Sequence, residues 1–134
     1  MKGAEVIRKM YDNDAFSQWL GIEFYDDVLT KAALELTVRE EMTNGFGIAH
    51  GGITYSLADS ALAFACNSHG YHTFSIHTGI HHLKKVSVGD RLRTSVEEES
   101  MGRKVGVFNI KVTNQNDVLV ATFKGMVYRS DQPW

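Results

Sequence analysis

One carboxylate stands apart from the rest of the polar chemistry in this chain. Between Met42 and Leu83, 42 residues hold a single Asp, Glu, Lys or Arg, and it is Asp59. At the chain's average of 22% charged, about nine would be expected. An unpaired charge is costly to bury, so such a gap marks an interior or an interface. Asp59 sits among Leu57, Ala58, Ala61 and Leu62. A poorly solvated carboxylate gains basicity, which suits a nucleophile or a general base at neutral pH. The competing reading is a structural Asp satisfied by a neighbouring donor such as Ser60.

Just upstream, Asn44-Gly45-Phe46-Gly47 is turn chemistry, and His50-Gly51-Gly52 opens an Ala- and Leu-rich run. Glycines at a helix start let a ligand approach the free backbone N–H groups. Those donors, with the positive end of the helix dipole, suit a carbonyl oxygen gaining negative charge. Gly51 is the best single candidate for that donor. Its competing role is a tight turn.

All six histidines fall inside the uncharged stretch. His77, His81 and His82 invite a metal reading, but on a strand His77 and His81 share a face while His82 points away. No metal is expected. Cys66, the one cysteine, lies deep in an apolar helix without a cation to lower its pKa, so core packing is expected of it.

The elements that must hold these groups follow from periodicity. Residues 4–20 read as an amphipathic helix with Val6, Met10 and Phe16 inward, interrupted or split at Asp12-Asn13-Asp14 and stopped by Gly21. Ile22 to Asp26 reads as a short strand. Leu29–Val38 reads as a strand with Leu34, Leu36 and Val38 on one face. Residues 53–68 form a helix that is apolar on nearly all sides. Four strand-like runs follow, Thr73–Val86, Arg91–Glu98, Lys104–Thr113 and Val118–Arg129. Short turns between them imply antiparallel pairing of successive runs. The order predicts an α+β domain over residues 1–134, a curved antiparallel sheet around one helix, with surplus apolar surface that points to an oligomer.

Composition excludes several classes. With 14 basic and 16 acidic residues the chain lacks the basic excess of a nucleic-acid binder. No run of 18 apolar residues occurs, so no membrane span is expected. The start, MKGAEVIRKMYDND, carries no apolar signal core, and a lone cysteine fits a reducing compartment, so a cytoplasmic location is expected.

The run from Asn44 through His50-Gly51-Gly52 to Leu57-Ala58-Asp59 and Ala65-Cys66-Asn67 resembles the phenylacetate-degradation type of hotdog-fold acyl-CoA thioesterase. The likeness covers most of the chain, with Val88-Gly89-Asp90 in its expected turn. The resemblance implies a hotdog fold, a thioester hydrolase acting on coenzyme A conjugates without metal or redox cofactor, and homodimers assembled into a homotetramer. It implies that Asp59 and Gly51 carry the reaction. It also implies that His50 and Asn44 shape the thioester pocket, and that a Ser or Thr on the strand after the helix holds the attacking water, with Ser75 as the first match and Thr78 as the second. Lys84, Lys85, Arg103 and Lys104 flank turns and could meet the phosphates of coenzyme A, or simply be solvated.

Helix spacing puts Gly51 and Asp59 too far apart to serve one carbonyl, so the site is expected to need two subunits. Tyr55, Leu62, Phe64, Phe46 and Phe74 are expected to wall a closed pocket for a small, aromatic or medium-chain acyl group. Two other readings compete. A hotdog enoyl-CoA hydratase would pair Asp and His about five residues apart, whereas Asp59 follows His50 by nine. A non-catalytic acyl-CoA-binding module would need an attached DNA-binding segment.

Overall fold

Asp12-Asn13-Asp14 breaks the N-terminal amphipathic segment in two. The computed structural model describes residues Met1 to Trp134, and its first helix, α1 (Gly3–Asp12), buries Val6 and Ile7. The Asp14 carboxylate then accepts from Ser17 N at 2.9 Å and caps a second helix, α2 (Ala15–Leu20), which ends at Gly21 with φ +79°. The new cap resets the helical phase. Ser17 and Leu20 turn inward, and Phe16, expected inside, is 53% exposed and stacked on Trp19.

The strand expected over Leu29–Val38 forms only in its second half. The Asp26 side chain accepts from Val28 N, a 3-10 turn covers Leu29–Lys31, and Ala32 takes the left-handed φ of +48°. After that turn β2 (Leu34–Thr37) pairs antiparallel with β1 (Glu23–Phe24). Leu34, Leu36 and Val38 are buried, as their alternation predicts.

The apolar run after His50 is the long helix α3 (Gly51–Asn67). Burial on nearly all sides holds for its second half only. In the first half Gly52, Tyr55, Ser56 and Asp59 are partly exposed. At roughly 100° per residue these four, with Ala63, form one open face.

Four strands complete a six-stranded antiparallel sheet that curls around α3: β3 (Tyr71–His82), β4 (Arg91–Met101), β5 (Val105–Thr113) and β6 (Leu119–Pro133). The order across the sheet is β1-β2-β4-β5-β6-β3. β4, β5 and β6 form the expected meander. β3 does not pair with β4 as successive runs were expected to do. It lies antiparallel to β6 at a free edge, and residues 83–90 cross to the other side of the sheet. Bonds from Leu83 N to Val120 O, Ala49 N to Val86 O and Val38 N to Asp90 O hold that crossing. The uncharged stretch is therefore α3, which is interior, followed by an edge strand where Phe74 and Ile76 are 57% and 56% exposed.

β3 carries a bulge. Ser75 pairs with Val127 and His77 with Met126, leaving Ile76 as an extra residue. Thr73 and Ser75 pair with the helix side of β6 before it, and Thr78, Ile80 and His82 take that side after it. No helix is long and apolar enough to cross a membrane.

Candidate active site

The helix start is built by its cap. His50 has extended backbone, and its Nδ1 accepts from Gly52 N at 2.9 Å, which places the ring proton on Nε2. Ile53 N bonds His50 O at 2.9 Å. The Gly51 N–H has no acceptor in the chain. It is the open donor at the positive end of a 17-residue helix. A Cβ at Gly51 would stand 3.1 Å from His82 Nε2, so the close approach of β3 explains a glycine here.

Gly51 lines a cavity of about 320 Å3 together with Asn44, Ile48, Ala49, Thr54, His82, Leu83, Lys84, Lys85 and Val86. Asn44 Oδ1 accepts from Phe46 N and Ile48 N and so folds the Asn44–Ile48 loop, while its amide nitrogen has no partner in the chain. Neither Lys84 nor Lys85 forms an ion pair or side-chain hydrogen bond. This cavity thus gathers backbone and amide donors with two free cations, a setting for an anionic or carbonyl oxygen.

Asp59 lies on the open face of α3, eight residues beyond Gly51 and about 12 Å along the axis at 1.5 Å per residue. It is half-buried, no donor in the chain reaches its carboxylate, and burial alone pushes its pKa above the usual carboxylate value. Ser60 does not satisfy it, because the Ser60 hydroxyl is bonded to Ser17 Oγ at 2.8 Å. On the other side of the open face, the Tyr55 hydroxyl bonds Thr78 Oγ1 on β3. Two further links fix helix against strand. Gly51 sits at His82, and Asn67 Oδ1 accepts from Thr73 N at 2.9 Å. α3 and β3 therefore run in opposite directions, and Asp59 falls opposite the bulged part of β3 that carries Ser75.

The thioesterase superfamily model matches residues 46–121, from the loop before α3 to β6. The chain belongs to the thioesterase superfamily. It is 37% identical over 120 residues to the acyl-coenzyme A thioesterase PaaI of Escherichia coli, covering 90% of this chain and 86% of that one. The structure of E. coli PaaI, from the phenylacetic acid degradation operon, superposes with a TM-score of 0.90, covering 98% of this chain and 95% of that one at 32% identity. A Streptococcus mutans protein bound to acetyl CoA matches at a TM-score of 0.73 and 25% identity, over 76% of this chain and 82% of its own. Human acyl-coenzyme A thioesterase 13 is 28% identical over 83% of this chain and 81% of its own length. Fold and family agree with the hotdog resemblance read from the motif, and this PaaI-like thioesterase is a thioester hydrolase.

Not every expected residue of the thioesterase converges. Asn44, Gly51, Lys84 and Lys85 share one cavity. The His50 ring turns to a neighbouring cavity of about 340 Å3, lined also by Phe16, Trp19, Leu20, Met42, Ile53 and Ser56. Arg103 and Lys104 lie at the β4–β5 turn, where Lys104 is 2.6 Å from Asp131 and Arg103 O accepts from Arg129 Nε. Within one chain they stand at the opposite end of β6 from Lys84.

The aromatic wall needs correction. Phe64 is fully buried and packs on Tyr11 and Phe24 beneath α1, away from Asp59. Phe46 is 89% exposed at its loop tip, and Phe74 faces outward on β3. His77 and His81 also face outward, so of the three strand histidines only His82 meets the site. Cys66 is buried, and its thiol is pushed up to about 12 by burial.

The sequence reading missed the Phe16–Trp19 pair beside the helix start. A cap at Asp14 was the available signal, since it restarts the helical count.

Proposed function

We propose that this thioesterase hydrolyses coenzyme A thioesters of small, aromatic or medium-chain acyl groups. The observation that carries the hydrolysis is the pairing of two unsatisfied groups on one helix, the open Gly51 N–H and the half-buried Asp59 with no partner. The acyl class rests on the likeness to E. coli PaaI from the phenylacetic acid degradation operon. The Gly51 amide and helix dipole stabilise the oxyanion as the carbonyl is attacked. Asp59 either attacks the carbonyl carbon, giving a mixed anhydride that water then hydrolyses, or takes a proton from water held by Ser75 as that water attacks the carbonyl. The proton that water gives up passes to the leaving thiolate. The carbon–sulfur bond breaks, and the thiol leaves with a proton.

The two groups act on one carbonyl only when they come from different copies of the chain, since attack needs about 3–3.5 Å between reacting atoms. A second copy whose β3 adds to the free β3 edge covers Phe74 and Ile76 and the open face of α3. Two such dimers form the tetramer. Lys84 and Lys85 sit beside the oxyanion donor and meet coenzyme A phosphates there, with Arg103 and Lys104 reaching in from another copy. The Streptococcus mutans relative holding acetyl CoA supports that ligand. A lone cysteine and a coenzyme A substrate support a reducing cytoplasm as the location.

The test is free thiol release from phenylacetyl-, hydroxyphenylacetyl-, hexanoyl- and palmitoyl-CoA. Clear activity on the first three supports the reading, and a preference for palmitoyl-CoA overturns the acyl class.

A further inference from the structure

His82 closes β3, where its register opposite the fully buried Ala121 turns its ring toward α3. Leu83 N and Lys84 N both bond Val120 O just after it, so the backbone that carries the ring is held against β6. A Cβ on Gly51 would meet the edge of this ring, with Nε2 at 3.1 Å, Cε1 at 3.3 Å and Cδ2 at 3.9 Å.

The direction of that approach decides what the ring can do. In an α-helix each Cα–Cβ bond leans toward the N-terminus, and the N–H bonds point the same way. A ring just beyond the Cβ position of the first helical residue therefore stands in front of the helix, on the side into which the open Gly51 N–H projects. Ring and N–H line the same cavity of about 320 Å3.

Of the six histidine rings, only those of His50 and His69 hydrogen-bond within the chain, and His72 stacks on Trp134. His77 and His81 face away from the helix. His82 alone meets the helix start with both ring nitrogens free. Neutral or charged, an imidazole carries at least one N–H. A carbonyl oxygen has two lone pairs and gains charge as it is attacked, and the Gly51 amide serves only one of them.

We propose that His82 is a catalytic residue of the hydrolysis, a second oxyanion donor whose Nε2–H bonds the oxygen already held by the Gly51 N–H. As the nucleophile adds to the carbonyl carbon, the C=O π pair moves onto that oxygen. The pair returns when the carbon–sulfur bond breaks and its electrons leave on sulfur. His82 keeps its proton throughout, as a neutral imidazole that polarises a carbonyl does, so no proton is added to the balance. The inference rests on Gly51 as the first oxyanion donor.

The experiment measures kcat and KM for phenylacetyl-CoA in the wild type, His82→Phe and His82→Gln, with the binding of two unreactive analogues. One carries a trifluoromethyl ketone in place of the thioester and is held as a tetrahedral oxyanion. The other is the thioether, which has no carbonyl. His82→Phe keeps a ring without a donor, and kcat should fall about 10²-fold, the scale for losing one oxyanion donor. KM and thioether binding should stay within about twofold while ketone binding weakens in step with kcat, because the lost bond belongs to the transition state. His82→Gln restores an N–H and should recover most of both. His82→Ala takes the place of His82→Phe should that variant not fold. A kcat within about threefold of wild type in the donorless variant overturns the inference. Equal weakening of thioether and ketone also overturns it, since a ring that only shapes the cavity would act on both. The two assignments fail separately. If Gly51→Pro keeps wild-type kcat, the Gly51 assignment falls and this inference with it. If Gly51→Pro loses kcat and His82→Phe does not, only the His82 assignment falls.

Discussion

The Ser60 hydroxyl lies 2.8 Å from Ser17 Oγ, and that bond ties α3 to α2 while leaving Asp59, one residue earlier, with no donor. A carboxylate held this way serves reactivity at some expense to the fold.

Asp59→Asn is therefore expected to lower kcat by at least 10²-fold, the scale of a positioned acid–base group. Retention of more than about a tenth of wild-type turnover in a thiol-release assay contradicts the assignment.

Stability moves the other way. Burial raises the Asp59 pKa, so the folded state binds its proton more tightly than the unfolded chain does. The ionised group weakens the fold at neutral pH, and that cost fades as pH falls through the raised folded value and is gone below the ordinary carboxylate value of about 3.9. Thermal unfolding of Asp59→Asn should match or exceed the wild-type Tm at pH 7, with the difference shrinking toward acid.

The pH profile of kcat/KM reports the same group. In the proposed mechanism Asp59 acts ionised, so activity should climb with pH along an acidic limb whose midpoint lies above about 3.9. A limb at or below that value contradicts the desolvated base.

Mixing Asp59→Asn with Gly51→Pro, which lacks the donor N–H, should restore activity in heterodimers. Proline is tolerated in the first helical turn, so the helix persists once the His82 ring, 3.1 Å from the new Cβ, gives by a few tenths of an ångström. No recovery after subunit exchange, verified by mass spectrometry of the mixed dimers, points to a site within one chain.

His50→Ala removes the acceptor for Gly52 N and should cost about 0.5–2 kcal/mol of stability by urea unfolding. His50→Asn keeps a capping oxygen and should recover most of it. Activity should fall less in either variant than in Asp59→Asn, because His50 caps the helix start while the proposed chemistry is at Asp59.

Much of this was legible because local patterns carried it. The alternation of Leu34, Leu36 and Val38, the glycines after His50 and the isolation of Asp59 each reflect burial or backbone geometry that residue type alone reports. The miss at β3 has a different cause. Val88-Gly89-Asp90 signals a turn, but a turn does not say which strand the chain will pair with next, and residues 83–90 cross the sheet. Phe64 was misassigned by ignoring angle. Five residues past Asp59 it points well away from the carboxylate, toward Tyr11 and Phe24. Exposure of β3 despite its lack of charge is the one feature a single copy does not explain, since an uncharged edge reads like a core.

Ile76 also governs how this chain should be lined up against others. Because the bulge holds one residue outside the ladder, Ser75 and Thr78 face α3 although they are three apart, and strict alternation from either one misplaces the other. Counting forward from Asp59 to locate a hydroxyl in a relative lacking the extra residue would err by one beyond the bulge. A single deletion at Ile76 should straighten the strand and keep Ser75 and Thr78 pointing inward. The same deletion at Gly79 would reverse the residues between it and the bulge.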